Sequence, residues 1–445
     1  MPGTPRPATV AIVTTTRDAD ASPRPSGRAP DLHARAGRHR LAVAPWVWPV
    51  LAVYALSRVL VTGALLIART HQGESFEGWW PDPAGQPPYG VFVGRWWDGW
   101  WYEQIASGGY PDALPVRDGV VVINEWAFFP LYPGIVKLIT TATGGTWIVV
   151  APLVSLVLGA VALLVVHRLV AVAAPDAVAT RPGLPLAVVA VIAFFPYAVV
   201  LQVAYTESLA LLLVATSLLL IVRRRYAWAM LAVAALGFTR AVALPVAVVV
   251  AVHLLVRWRE ARAGREVFGR RERVLGIALL GVAGLSGGIW PLIAGAATGQ
   301  VDAYVLTQGA WRPDRGVGVF AGWTRVETFS PLGWGLTVGA VTLVLGLLAL
   351  AAFSRTRRIG VELWVWCAAY VLYLAAVGDL ISSQLRFLLL AFPLAIALVA
   401  LGPRPGWAAR AWTWLLVAGL AVGQVAWVWT VWMQVLKEVT FLKAP

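Results

Sequence analysis

Five clusters of charged and aromatic residues interrupt an otherwise apolar chain, and each carries a side chain suited to chemistry at a hydroxyl or a phosphate. The densest is Gly94-Arg95-Trp96-Trp97-Asp98-Gly99-Trp100-Trp101-Tyr102-Glu103. Kept from bulk water among those rings, the Asp98 carboxylate suits a general base acting on a hydroxyl. The same segment also suits an aromatic anchor at a membrane–water interface, with Asp98 solvated. The second cluster is Asn124-Glu125-Trp126-Ala127-Phe128-Phe129-Pro130-Leu131-Tyr132-Pro133, and the third is Tyr205-Thr206-Glu207-Ser208. Glu207 falls near a helix N-terminus, where a carboxylate also serves simply to oppose the helix dipole. Thr239-Arg240 is the fourth, and Asp379 with Gln384 and Arg386 the fifth. The planar fork of arginine fits a phosphate or pyrophosphate. Arg386 has a second reading, as an interface anchor whose head snorkels to water. Carboxylates, arginines and apolar surroundings together point to transfer of a group from a lipid phosphate to a hydroxyl.

The elements that must position these residues are membrane helices. The chain has 445 residues, 59% hydrophobic and 13% charged, with a mean hydropathy of +0.73. A soluble globular protein carries about twice that share of charge, and disorder needs low hydrophobicity. The apolar runs are continuous, not alternating, so they predict helices instead of a barrel. The fold class expected is an all-α polytopic membrane protein of about eleven transmembrane helices, with interfacial helices in the first external loop. Spans are expected over 45–68, 146–168, 185–203, 206–222, 274–297, 331–353, 360–378, 387–402 and 411–436. Residues 226–256 are flanked by arginines at both ends. Two short helices meeting near Thr239-Arg240 keep both basic ends on one side, as the positive-inside rule favours. Each is shorter than the ~30 Å hydrocarbon core, so the pair lines a cavity with Arg240 at its floor. The same rule makes 127–143 interfacial. A short flat helix is expected over Trp97–Ile105, stopped by Gly108-Gly109.

Net charge is +14, nearly all of it from arginine, with Lys137, Lys437 and Lys443 the only lysines. In a chain this apolar that balance indicates an anionic membrane surface and no nucleic acid. Residues 1–40 hold seven arginines and many prolines. They are expected to form a disordered cytoplasmic tail before a single membrane domain, 41–445, whose 70–145 loop lies outside. Cys367 is the only cysteine, so no internal disulfide forms. His33, His39, His71, His167 and His253 show no ligand spacing, and no metal site is expected. His167 and His253 are expected to be plain residues at cytoplasmic helix ends. There is no Walker A loop, dinucleotide-binding glycine loop or HExxH, and no internal repeat of the kind that builds many transporters.

At these motifs the chain resembles the PIG-V family of mannosyltransferases and its bacterial relatives. The resemblance rests on Arg95-Trp96-Trp97-Asp98-Gly99 with Tyr102, Ile105-Ala106 and Gly109-Tyr110-Pro111; on the Glu125–Pro133 stretch; and on Tyr205–Ser208, Thr239-Arg240, and Arg386-Phe387 with Pro393. It spans about 95–393, and the first two motifs are specific together. It implies a GT-C-class integral-membrane glycosyltransferase with no cofactor, whose substrates are a polyprenyl-phosphate-mannose donor and a lipid or glycan acceptor. Asp98 matches the acidic residue of the first external loop and is the implied general base. Arg240 or Arg386 would stabilise charge on the leaving phosphate, while Glu125 and Glu207 would orient acceptor or sugar hydroxyls. Arg95, Trp97, Tyr102, Tyr205 and Asp379 complete the expected substrate contacts. Direct displacement would invert the anomeric centre. The active site is expected on the extracytoplasmic face of the plasma membrane, with the N-terminus cytoplasmic. The arginine bias suggests a GC-rich bacterial gene, which leaves a phosphatidylinositol-type glycolipid, a cell-wall glycan or a protein hydroxyl as acceptors. A lipid-linked-sugar flippase and a non-catalytic scaffold are the rival readings.

Overall fold

The apolar runs do become helices in the computed structural model. It describes residues 44–71, 87–312, 318–321, 341, 344–346, 348–349, 359–378, 386–403 and 406–432. The expected tail 1–40, most of the 331–353 span, Asp379 and Gln384 lie outside those residues. Helix α1 spans Val47–Thr70. Two short helices follow, α2 (Tyr89–Gly94) and α3 (Asp98–Gly108), then α4 (Leu131–Thr143) and α5 (Trp147–Ala173). Next come α6 (Pro175–Thr180), α7 (Leu184–Ala193), α8 (Glu207–Val222), α9 (Tyr226–Gly237), α10 (Ala243–Arg262), α11 (Arg270–Thr298) and α12 (Ala303–Ala310). The last named helices are α13 (Val361–Val377), α14 (Leu394–Ala400) and α15 (Trp407–Trp427), which runs into a π turn over Val428–Trp432. Among the described residues, strand is confined to one antiparallel hairpin, β1 (Val116–Arg117) with β2 (Val120–Val121).

Four helices are long and apolar enough to cross a membrane: α1, α5, α11 and α15 with its π turn, of 24, 27, 29 and 26 residues. At 1.5 Å per residue the shortest reaches about 36 Å, more than the ~30 Å core. Helices α7, α8, α9 and α13 are apolar but shorter. Their lengths follow from what interrupts them. The 185–203 run does not form one helix: α7 stops at Ala193, and a 3-10 turn covers Ala198–Leu201. Pro196 lies in the break and cannot donate a backbone hydrogen bond. The carbonyls freed there are taken by Arg58, buried midway along α1, which donates to Ala198 O at 2.7 Å and Ala193 O at 3.0 Å. Similarly, 387–402 is split into a 3-10 turn at Leu388–Ala391 and α14, with Pro393 between them.

Helix α5 packs along α8, α9 along α11, and α10 along both α11 and α13. Small residues set the closest approach. A Cβ on Gly237 would stand 2.8 Å from the Ser286 Cβ and carbonyl oxygen, so α9 touches α11 backbone to backbone. At the other end of α9, Tyr226 accepts or donates at His253 Nε2 (2.8 Å), and His253 Nδ1 meets Glu362 at 2.7 Å. His253 is therefore not a plain helix-end residue: it is buried within α10 and joins α9 to α13.

Candidate active site

The chain reverses sharply between α2 and α3, and this reversal aims Asp98. Trp97 adopts φ 54°, a left-handed value rare for a side chain of its size. Asp98 then opens α3, where a carboxylate is favoured by the exposed amides of the first turn. Only glycine fits next: a Cβ on Gly99 would lie 2.6 Å from the Gly94 carbonyl oxygen. Two bonds fix α2 beneath the reversal. Trp147 Nε1 donates to Gly94 O at 2.8 Å, and Ala204 N donates to Val93 O at 2.9 Å. The second bond draws the 204–207 segment against Asp98.

Glu207 begins α8, and Thr206 is its N-cap residue. The threonine hydroxyl does not cap the helix. It accepts from Arg240 Nη1 at 3.1 Å and meets the Tyr102 hydroxyl at 3.3 Å. Forgoing a cap costs about 1 kcal/mol, and here it fixes Arg240, which stands in the link between α9 and α10. Arg386 precedes the Leu388–Ala391 turn. Tyr370 and Trp366 of α13 hold that turn by donating to Phe387 O (2.9 Å) and Leu390 O (2.8 Å).

These four segments place two carboxylates and two guanidiniums in one cluster. Arg386 Nη2 donates to Asp98 Oδ2 at 2.7 Å, and its Nε lies 3.5 Å from Glu207 Oε1. Arg240 Nη1 donates to the same Glu207 oxygen at 2.6 Å. Glu207 is thus shared by both arginines. The Phe387 ring lies beneath Arg240 (4.3 Å) and Arg386 (5.0 Å), and the Tyr205 ring lies 4.9 Å from Arg386. Side-chain exposure is graded: 1% for Glu207, 8% for Arg386, 15% for Arg240 and 22% for Asp98. Asp98 faces outward and Glu207 forms the floor. Among the described residues, Glu207 Oε2 and Arg386 Nη1 are buried without a hydrogen-bond partner. Each such group left bare costs about 1–3 kcal/mol, so both atoms are open to a polar partner.

The structure brings Asp98, Tyr102, Tyr205, Glu207, Arg240 and Arg386 together. Arg95 is turned elsewhere: its Nε and Nη2 donate to Glu103 at 2.5 and 2.6 Å. Those bonds hold its guanidinium above the usual arginine range and brace α3. Trp97 is half-buried against the core and shapes the backbone. Glu125 opens a 3-10 turn, where its carbonyl accepts from Phe128 N at 2.9 Å, and its carboxylate makes no hydrogen bond or ion pair with the described residues. Asp379 lies outside them.

The Glu125–Pro133 stretch holds the segment that leaves α3. Trp126 Nε1 donates to Pro111 O at 3.0 Å, Tyr110 donates to Phe128 O at 3.1 Å, and the Tyr110 and Trp126 rings lie 4.6 Å apart. Thr206, Phe387 and Glu103 also belong to the site or its support, and their neighbours in sequence give the only signal for them. Arg58 had a clearer signal, a charge in the middle of an apolar helix. Among the described residues, no group of three or more His, Cys, Asp or Glu is placed to hold a metal ion. Chemically, the cluster offers one accessible carboxylate oxygen beside two fixed cations. Compared with known proteins, the chain matches no family model and no curated protein.

Proposed function

We propose that this chain is an integral-membrane glycosyltransferase of the GT-C type, related to PIG-V mannosyltransferases. It moves a mannosyl residue from polyprenyl-phosphate-mannose to a hydroxyl of a lipid or glycan acceptor on the extracytoplasmic face. The observation that carries this is the meeting of Asp98, Glu207, Arg240 and Arg386, drawn from four distant segments. In the proposed reaction the acceptor hydroxyl hydrogen-bonds to Asp98 Oδ1, the oxygen that Arg386 leaves open. Its oxygen attacks the anomeric carbon from the face opposite the phosphate. The proton passes to Asp98. The bond from the anomeric carbon to the phosphate oxygen breaks, and its electron pair stays on the phosphate. Arg386 Nη1 and Arg240 stabilise that charge, in place before it develops. Glu207 keeps both guanidiniums oriented, and its free Oε2 accepts a sugar hydroxyl. Displacement inverts the anomeric centre.

The test separates transfer from translocation. Wild type and Asp98→Asn are compared for binding of radiolabelled polyprenyl-phosphate-mannose and for product in a membrane lipid extract. Transfer predicts bound donor in both and product in wild type alone. A flippase predicts no product in either, with donor crossing the bilayer in both.

A further inference from the structure

The end of the bundle opposite the candidate site is an arginine surface. Helix α8 carries the chain away from Glu207 to the 223–225 turn, and α9 returns to Arg240. Helix α10 descends again, and α11 starts beside it. Glu266 ties these pieces together. Arg224 Nη2 donates to both its oxygens, at 2.9 and 3.1 Å, and Arg257 pairs with it from α10. Arg257 Nη2 also donates to Glu272 of α11 at 2.8 Å and to Val267 O at 3.0 Å. The turn 223–225, the last turns of α10, the 263–269 connection and the start of α11 therefore form one continuous patch.

Every carboxylate of the patch is consumed within it. Glu266 and Glu272 are held by Arg224 and Arg257, and Glu260 is held by Arg265 at 2.8 Å. Arg223, Arg225, Arg259, Arg270, Arg271 and Arg273 are exposed and make no ion pair with the described residues. Arg262 lies over the Trp258 ring, at 4.0 Å, and makes no ion pair with the described residues. So many like charges, with no carboxylate partner among the described residues, repel one another unless an anion lies between them. A free guanidinium fork matches a phosphate.

The neighbouring apolar side chains say where that anion sits. Trp258 and Val267 are exposed among the arginines, at 42% and 86%. Val274 and Ile277 on α11 and Leu255 on α10 are also exposed and begin the apolar faces of those helices. Arg273 precedes Ile277 by one turn, about 6 Å. The guanidiniums thus stand at the depth of the headgroups, where aromatic and basic residues concentrate.

We propose that this surface binds the phosphates of anionic phospholipids, which bridge the α8–α9 turn and the α10–α11 connection from the cytoplasmic side. The partner is a lipid headgroup and not a soluble polyanion, because the arginines adjoin exposed apolar helix faces.

The test uses the full chain in mixed micelles holding equal phosphatidylglycerol and phosphatidylcholine of the same acyl chains. After washing, retained lipid is quantified by mass spectrometry. Wild type should retain phosphatidylglycerol preferentially, and the triple variant Arg270→Gln, Arg271→Gln, Arg273→Gln should lower that preference about 10²-fold, from three surface contacts. Arg117→Gln, on the hairpin outside the patch, should leave it unchanged. Should the triple variant fail to fold, wild type alone decides: in 1 M salt, where the Debye length is about 3 Å, the preference should collapse. Equal retention of both lipids by wild type would overturn the proposal. So would an unchanged preference in the triple variant, or displacement of phosphatidylglycerol by inorganic phosphate at millimolar concentration.

Discussion

Replacing Gly99 by alanine should cripple transfer without touching a charged group. The added Cβ would stand 2.6 Å from the Gly94 carbonyl oxygen, and real Cβ contacts are not found below 3.0 Å. The atom in the way is backbone, held from beyond by the Trp147 indole at 2.8 Å, so it cannot swing aside. Helix α3 must therefore move by about 0.4 Å to reach 3.0 Å, and by about 0.8 Å to reach ordinary contact at 3.4 Å. Asp98 is the adjacent residue and moves with it. Its 2.7 Å bond to Arg386 then stretches toward or beyond the ~3.2 Å limit of a good hydrogen bond. A misplacement of about 1 Å costs roughly 10²-fold in rate. On a logarithmic scale, 0.4–0.8 Å gives a loss of about 5- to 50-fold in kcat. Overpacking costs about 1–3 kcal/mol of stability, which the fold should survive. Gly108, the last residue of the same helix, supplies the control, since a Cβ there meets nothing within 4 Å. The assay measures initial rates of mannosyl transfer for wild type, Gly99→Ala and Gly108→Ala at matched folded protein. Wild-type rates for Gly99→Ala, or an equal loss for Gly108→Ala, would refute the claim that the 94–99 reversal aims Asp98.

Other perturbations should separate chemistry from architecture. Asp98→Asn should lower transfer by about 10²–10⁴-fold, the range for a general base, while photolabelling by a donor analogue persists. Glu207→Gln leaves two buried guanidiniums with a single carboxylate. It should cost about 3–5 kcal/mol, measured by thermal unfolding in detergent. Glu103→Gln removes a half-exposed pair with Arg95 and should cost about 1 kcal/mol or less in the same measurement. Arg58→Met should orphan the Ala198 carbonyl, at about 1–3 kcal/mol, and leave Ala193 O with only the 3.4 Å bond from Gln424; it should lower the unfolding temperature with no specific effect on donor binding.

Much of the architecture was legible where charge or composition marks it. Arginines on both sides of 226–256 favour a two-helix reading, and α9 and α10 do break between Gly237 and Ala243, but α10 is not short: it runs on through the arginines to Arg262, about 30 Å. Asp98, Glu207, Arg240 and Arg386 stood out because charge is rare in apolar surroundings, and the structure brings them into contact. The breaks inside 185–203 and 387–402 were not legible, because an apolar run reads the same whether or not the helix continues. Only Pro196 and Pro393 hint at them. Arg58 went unnoticed as the residue that satisfies one break. Likewise, His253 beside a basic stretch looks like a helix end, and only the packing of α9 and α13 against α10 shows its partners. Which arginine meets which carboxylate depends on distances between segments 33 to 288 residues apart, and spacing along the chain carries no such information.

The central claim is that the Asp98–Glu207–Arg240–Arg386 cluster is a displacement site for a lipid-phosphate sugar. The most direct measurement gives the purified chain, in lipid nanodiscs, polyprenyl-phosphate-mannose labelled in the sugar, with a membrane lipid extract as acceptor. The account predicts label in an α-mannoside, with one polyprenyl phosphate released for each sugar moved. Label that stays on the polyprenyl phosphate, or product with the donor's own anomeric configuration, would contradict it.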